Sequence, residues 1–157
     1  KSRQTIFQIL PKNLPRLITV GRLDLNSEGL LLLTNDGDLK RKLELPSSKI
    51  VRSYRVRAKG IANENKLSRL RQGITVDGIR YRPMELNIIR QNTSNVWLSV
   101  RLTEGKNREI RLSFQAIGLQ VNKLIRTSFG PIVLGKLDKG QIEEVELDSF
   151  SAILKDG

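Results

Sequence analysis

The sequence contains neither cysteine nor histidine. The first absence excludes disulfide frameworks, thiolate catalysis and cysteine-held zinc, and the second excludes Ser-His-Asp and Cys-His pairs. Any metal site would need carboxylates alone, and the acidic residues are not clustered for that. Chemistry is left to carboxylate, tyrosine, lysine and arginine. Aromatic residues make up only 4% of the chain, so Leu, Ile and Val must fill a core. No apolar run approaches the ~20 residues that cross a bilayer. The opening KSRQTIFQIL has neither the apolar stretch nor the cleavage site of a secretion signal. These features read as a soluble, cytoplasmic chain with no membrane partner.

Positive charge is abundant. Lys and Arg number 28 against 16 Asp and Glu, a formal net charge of +12 over 157 residues. So large a surplus on so short a chain concentrates polyanions near the surface, and nucleic acid is the expected partner. The length suits one domain with a sizeable core.

Short apolar runs at Leu17–Leu23 and Leu30–Thr34, parted by the polar turn Asn26 to Gly29, read as two buried strands. Asp38 is placed to cap a helix that Pro46 stops, and Thr5–Leu10 fits a short helical turn. Val51–Ala58 alternates as a strand, with Arg52, Tyr54, Val56 and Ala58 on one side. Asn63 caps a helix carrying Leu67, Leu70 and Ile74, which Gly73 closes. Ile79–Ile89 and Val96–Leu102 form a long hairpin about Asn92 to Asn95, and Lys106–Ile117 is a helix with Ile110, Phe114 and Ile117 on one face. Val121–Phe129 and Ile142–Leu147 supply the last strands around a Gly130-Pro131 break, followed by a short helix at Ser149–Lys155. Strand runs with intervening helices predict an α+β fold whose mixed sheet is mainly antiparallel and flanked by helices.

Three constellations carry possible chemistry. Asp24 ends a buried strand in the turn-rich GRLDLNSEG, where a carboxylate either lines a cleft or accepts hydrogen bonds from the following turn. Tyr54 sits among Arg52, Arg55 and Arg57, suited to stacking on a base or to packing within a sheet. In EGKNREIR, Lys106, Arg108 and Arg111 gather where a helix begins, either a phosphate-binding terminus or a solvated basic face.

Taken in order, GRLDLNSEGLLLLTNDGDL, SYRV, EGKNREIR and GLQVNKLIRTSFGPI resemble the ribosomal RNA pseudouridine synthases of the RsuA/RluB group over nearly the whole chain. The resemblance implies the pseudouridine synthase fold over 1–157 and conversion of a specific uridine, in large-subunit ribosomal RNA, to pseudouridine. It implies Asp24 as the catalytic carboxylate, with Glu28 as runner-up, Tyr54 packed against the target uracil, and Arg111 pairing with Asp24. Ile110 would line the pocket, while Arg22, Lys106, Asn107 and Arg108 would bind substrate. No cofactor or metal is implied, and the partner would be ribosomal RNA or a pre-ribosomal particle met by a monomer. The group's usual N-terminal RNA-binding module and first core strand are expected to be missing. The competing readings are a non-catalytic RNA-binding module and a nucleoside hydrolase, which would release free uracil.

Overall fold

The computed structural model describes residues 15–145 and residue 150. Strand β1 (Ile18–Val20) pairs antiparallel with β3 (Leu32–Thr34), Ile18 facing Thr34 and Val20 facing Leu32. Both are shorter than the apolar runs predict. Gly21, at φ +64°, turns the chain out of β1, and the loop that follows contains the two-residue β2 (Glu28–Gly29). Helix α1 (Gly37–Glu44) comes next, and its cap is Asp36 rather than the expected Asp38. Asp36 Oδ1 accepts the N–H groups of Asp38 and Leu39 at 2.9 and 3.2 Å, leaving Asp38 in the first turn, where a negative charge favours the helix dipole.

The alternating stretch after Pro46 forms β4 (Arg52–Lys59). Asn63 Oδ1 accepts from Lys66 N at 2.9 Å and caps α2 (Glu64–Arg71), and Gly73 follows its end at φ +87°. Ile74, predicted to continue that helix, instead begins β5 (Ile74–Val76), which turns at Asp77-Gly78 into β6 (Ile79–Tyr81). The single strand expected from Ile79 to Ile89 is therefore two strands. Pro83, which has no N–H to give a ladder, lies between β6 and β7 (Glu85–Gln91). Strand β8 (Asn95–Leu102), helix α3 (Glu109–Ala116), β9 (Gln120–Phe129) and β10 (Ile132–Val133) complete the described elements. The Gly130-Pro131 break is the turn between β9 and β10. Residues 142–145 form no strand, contrary to expectation; the rest of that run, nearly all of the predicted terminal helix and the Thr5–Leu10 turn lie outside the described residues.

β4 lies at the centre of the main sheet, antiparallel along its whole length to β8 on one side and β9 on the other. The order is β10-β9-β4-β8-β7, and β2 joins β9 in parallel, making the sheet mixed but mainly antiparallel. Val56, Ala58, Leu98 and Val100 from its inner face bury against Leu67 and Leu70 of α2 and Ile110 and Phe114 of α3. Each such aliphatic side chain contributes roughly 1.5–3 kcal/mol of hydrophobic free energy. A second, smaller core of Val20, Leu30, Leu43, Ile50, Phe129, Ile132 and Phe150 joins α1 and β1 to the far end of β9. The Asp24 loop runs between the two cores.

Candidate active site

The loop from Gly21 to Leu30 is tied to its surroundings at several points. The Gly21 N–H donates to Glu44 Oε2 at 2.6 Å, and Lys40, which also bonds Glu44, donates to Thr19 O at 2.9 Å. Burial pushes the Glu44 carboxyl up, but its bonds to Lys40 and Gly21 outweigh that and hold it below its ordinary value. At the far end Leu30 N donates to Arg126 O at 2.9 Å, and β2 lies against β9 with Glu28 opposite Ile125 and Gly29 opposite Arg126. The internal turn is closed by Ser27 N donating to the backbone carbonyl of Asp24 at 2.9 Å. The turn therefore uses the main chain of Asp24. Among the described residues its carboxylate makes no hydrogen bond or ion pair, and it lines a pocket.

That pocket gathers Asp24 and Arg22 from the loop, Tyr54 from β4, Ile110 from α3 and Lys106 and Asn107 from the turn before α3. Ile110 is 4% exposed and Tyr54 packs against the main core. Arg22 and Asn107 are exposed at the rim. The Lys106 ammonium is occupied within the protein, 3.2 Å from Glu104 Oε1 and bonded to Arg80 O. Arg108 and Arg111 do not line the pocket. Arg108 adopts a left-handed conformation (φ 53°) as the residue before α3 and is exposed, so it lies outside the helical face expected of it.

Arg111 stands behind the loop, and no ion pair within 4.0 Å joins it to Asp24. Instead Arg111 Nη2 donates to the carbonyl of Asn26 at 2.8 Å, two residues from Asp24, and Nη1 reaches Val121 O at 3.5 Å, while Nε is buried without a partner. Burial and the neighbouring Arg108 lower the guanidinium's pKa, and the Asp24 charge opposes them, so the two groups feel each other without touching.

Two charged residues that the motifs did not single out, Arg126 and Glu109, also line the pocket, as does Arg52, named beside Tyr54 in the sequence. Arg52 and Arg126 hold their guanidinium carbons 5.0 and 5.4 Å from the Phe129 ring. Burial raises the Tyr54 phenol's pKa, while Arg126 and Arg52 act against that rise and Asp24 adds to it. Arg126 had one visible signal. It occupies a core-facing position two residues beyond Leu124 in β9.

Glu104 and Glu109 form a buried acidic pair, 6% and 3% exposed, whose side chains hydrogen-bond each other. Glu109 Oε1 accepts from Lys106 N at 3.1 Å and Glu104 Oε2 from Arg82 N at 2.6 Å. Burial, followed by the bond to Glu104 and its charge, pushes Glu109 up to about 8. Glu104 is also pushed up by burial, but Arg82, Glu109 and Lys106 bond it and bring it below its ordinary value. The pair thus shares one proton at neutral pH.

The folded protein keeps the Glu109 proton between pH 4.5 and about 8, where the unfolded chain has lost it. Stability from this group is therefore complete below pH 4.5 and lost as pH rises towards 8. Glu109→Gln keeps a donor for Glu104 and an acceptor for Lys106 without that titration. Its melting temperature should match the parent near pH 4.5 and exceed it at pH 8.5 by several degrees, about 1–2 kcal/mol once solvent screening is discounted. Parallel pH profiles in differential scanning calorimetry would refute the shared proton.

A family model described as RNA pseudouridylate synthase matches residues 1–116. This chain belongs to that family. A Rickettsia bellii protein named as an uncharacterized RNA pseudouridine synthase is 53% identical over 145 residues, covering 92% of this chain and 62% of the relative. Ribosomal large subunit pseudouridine synthase B of Buchnera aphidicola is 46% identical over 145 residues, covering 90% and 56%. A crystal structure titled as a pseudouridylate synthase superposes with a TM-score of 0.86 at 26% identity, over 95% of this chain and 65% of that one. The chain thus spans about three fifths of the length of these curated relatives. The α+β architecture is the pseudouridylate synthase fold. Among the described residues no helix is long and apolar enough to cross a membrane.

Proposed function

We propose that residues 1–157 act as the catalytic domain of an enzyme that isomerises a specific uridine of large-subunit ribosomal RNA to pseudouridine. The observation that carries this reading is the shared pocket of Asp24, Tyr54 and Ile110, brought together from a loop, a central strand and a helix. The Buchnera relative's name supports the large-subunit substrate. A cytoplasmic monomer acting on RNA or a pre-ribosomal particle fits the +12 charge.

The target uridine leaves its stack and enters the pocket, where Tyr54 packs on the ring and Ile110 excludes water. Asp24 supplies the electron pair, as a nucleophile on C1′ or a base on the C2′ proton, and the N1–C1′ bond breaks. The freed uracil turns and C5 bonds to C1′ as the Asp24 ester bond breaks or, in the base route, as the C2′ proton returns; C5 then loses its proton and N1 gains one. Atoms and electrons balance without an oxidant or a group donor. Arg111 positions Asp24 through the loop, by holding the carbonyl of Asn26.

Ribosomal RNA carrying tritium at uridine C5 should release it to solvent with the intact protein, one per pseudouridine formed and without free uracil. Free uracil would identify a nucleoside hydrolase. Binding without release would identify a non-catalytic RNA-binding module.

A further inference from the structure

Arg126 is the most deeply buried charged residue among those described, 2% exposed, and no carboxylate of a described residue lies within 4.0 Å of it. Burying an unpaired cation is costly, and an apolar residue would fill the same space more cheaply. Its contacts show what it gains. The main-chain carbonyl of Arg126 accepts from Leu30 N at 2.9 Å, and its Nε donates back to Leu30 O at 2.9 Å. The last residue of the Asp24 loop is thus bound through both of its peptide groups to one residue of β9.

On the other side, Arg126 is the register partner of Tyr54 across β4 and β9, just past a register shift between Ser53 and Tyr54. Tyr54 and Arg126 line the same pocket, and the guanidinium acts to lower the Tyr54 phenol's pKa against the rise that burial causes. The Arg126 Cζ lies 5.4 Å from the centre of the Phe129 ring, and among the described residues Nη2 is buried with no hydrogen-bond partner, a spare donor in the pocket wall. Lysine could not make these contacts together, because it lacks the planar fork.

We propose that Arg126 is a positioning residue of the isomerisation: one buried guanidinium ties the aspartate loop to the Tyr54 strand and holds the Tyr54 hydroxyl in place. Asp24 and Tyr54 come from segments 30 positions apart, and Arg126 touches the mounting of both. This inference rests on the isomerase reading, and its test includes a measurement that needs no turnover.

The intact protein is labelled with 3-fluorotyrosine, the Tyr54 resonance is assigned by its loss in Tyr54→Phe, and its ionisation is followed by fluorine NMR. In Arg126→Met the Tyr54 midpoint should rise by roughly one pH unit, since a neighbouring cation has gone. The kcat for tritium release should fall about 30-fold or more while KM for RNA stays within threefold. An unmoved midpoint in the folded variant, or a loss confined to KM, overturns the proposal. If Arg126→Met does not fold, Arg126→Lys decides: it keeps the charge and loses the fork, so kcat should fall at least about tenfold, and parental kcat overturns the proposal. Absence of turnover in the parent defeats the isomerase reading, and the NMR midpoint still judges the contact with Tyr54.

Discussion

Asp24→Asn should abolish tritium release, lowering kcat by on the order of 10⁴-fold, while RNA affinity changes less than about twofold. The asparagine has nearly the same shape, but its neutral amide is far too weak a nucleophile for C1′ or base for the C2′ proton. The structure explains why the fold should survive the change. The turn at this position is made by the backbone carbonyl of Asp24, bonded to Ser27 N, and among the described residues the carboxylate has no partner to lose. A carboxylate that served only as a turn former would show the opposite pattern, with stability lost and turnover kept. Single-turnover release and a filter-binding isotherm on the same preparation separate the two. Release within tenfold of the parent would remove Asp24 from the mechanism and turn attention to Glu28, four residues along and exposed.

Gly29→Ala should cost at least about 3 kcal/mol and lower the melting temperature by roughly 6–12 °C. Two effects act together. Gly29 has φ +107°, which a residue with a Cβ rarely adopts, and an added Cβ would stand 2.2 Å from the carbonyl oxygen of Arg126 and 2.7 Å from its nitrogen. Those atoms are backbone in a paired strand, so neither a rotamer change nor a small shift relieves the contact. Parting β2 from β9 would also release the loop that carries Asp24, so turnover should fall with stability. Gly21→Ala is the useful comparison. Its φ of +64° is also positive, but an added Cβ meets nothing within 4 Å, so its cost should be the smaller backbone penalty of ~1 kcal/mol. Equal melting temperatures for the two variants would show that the β2–β9 contact is not rigid.

Much of this was legible in the sequence, because local signals decided it. The alternation through Tyr54, Val56 and Ala58 marked a strand with one inner face, Asn63 marked a helix start, and Ile110, Phe114 and Ile117 marked the buried side of α3. Elsewhere local signals competed. Ile74 continued the spacing of Leu67 and Leu70, which hid the β5–β6 hairpin even though Asp77-Gly78 is a turn signal, with both residues at positive φ in the structure. The pocket was only half legible. Motifs named Asp24, Tyr54 and Ile110, but the burial of Arg126 and the pairing of Glu104 with Glu109 follow from strand register and packing between distant segments, which spacing along the chain does not encode. The expected contact of Arg111 with the Asp24 carboxylate is in the structure a bond to the neighbouring Asn26 carbonyl, a distinction of a few ångströms that no motif carries.

The ties that hold the aspartate loop also set a timetable. Asn26 is fastened by a residue 85 positions later and Leu30 by one 96 positions later, so the segment holding the carboxylate is made early and anchored late. Closing contacts of such long sequence separation costs loop entropy that local helices and hairpins do not pay, which places them among the last to form. A chain still being synthesised can build the β7–β8 hairpin, α2 and the local ties at Gly21 while the Asn26 and Leu30 side of its aspartate loop remains unanchored, until β9 has left the ribosome. The final placing of the Asp24 carboxylate therefore waits until β9 has been made.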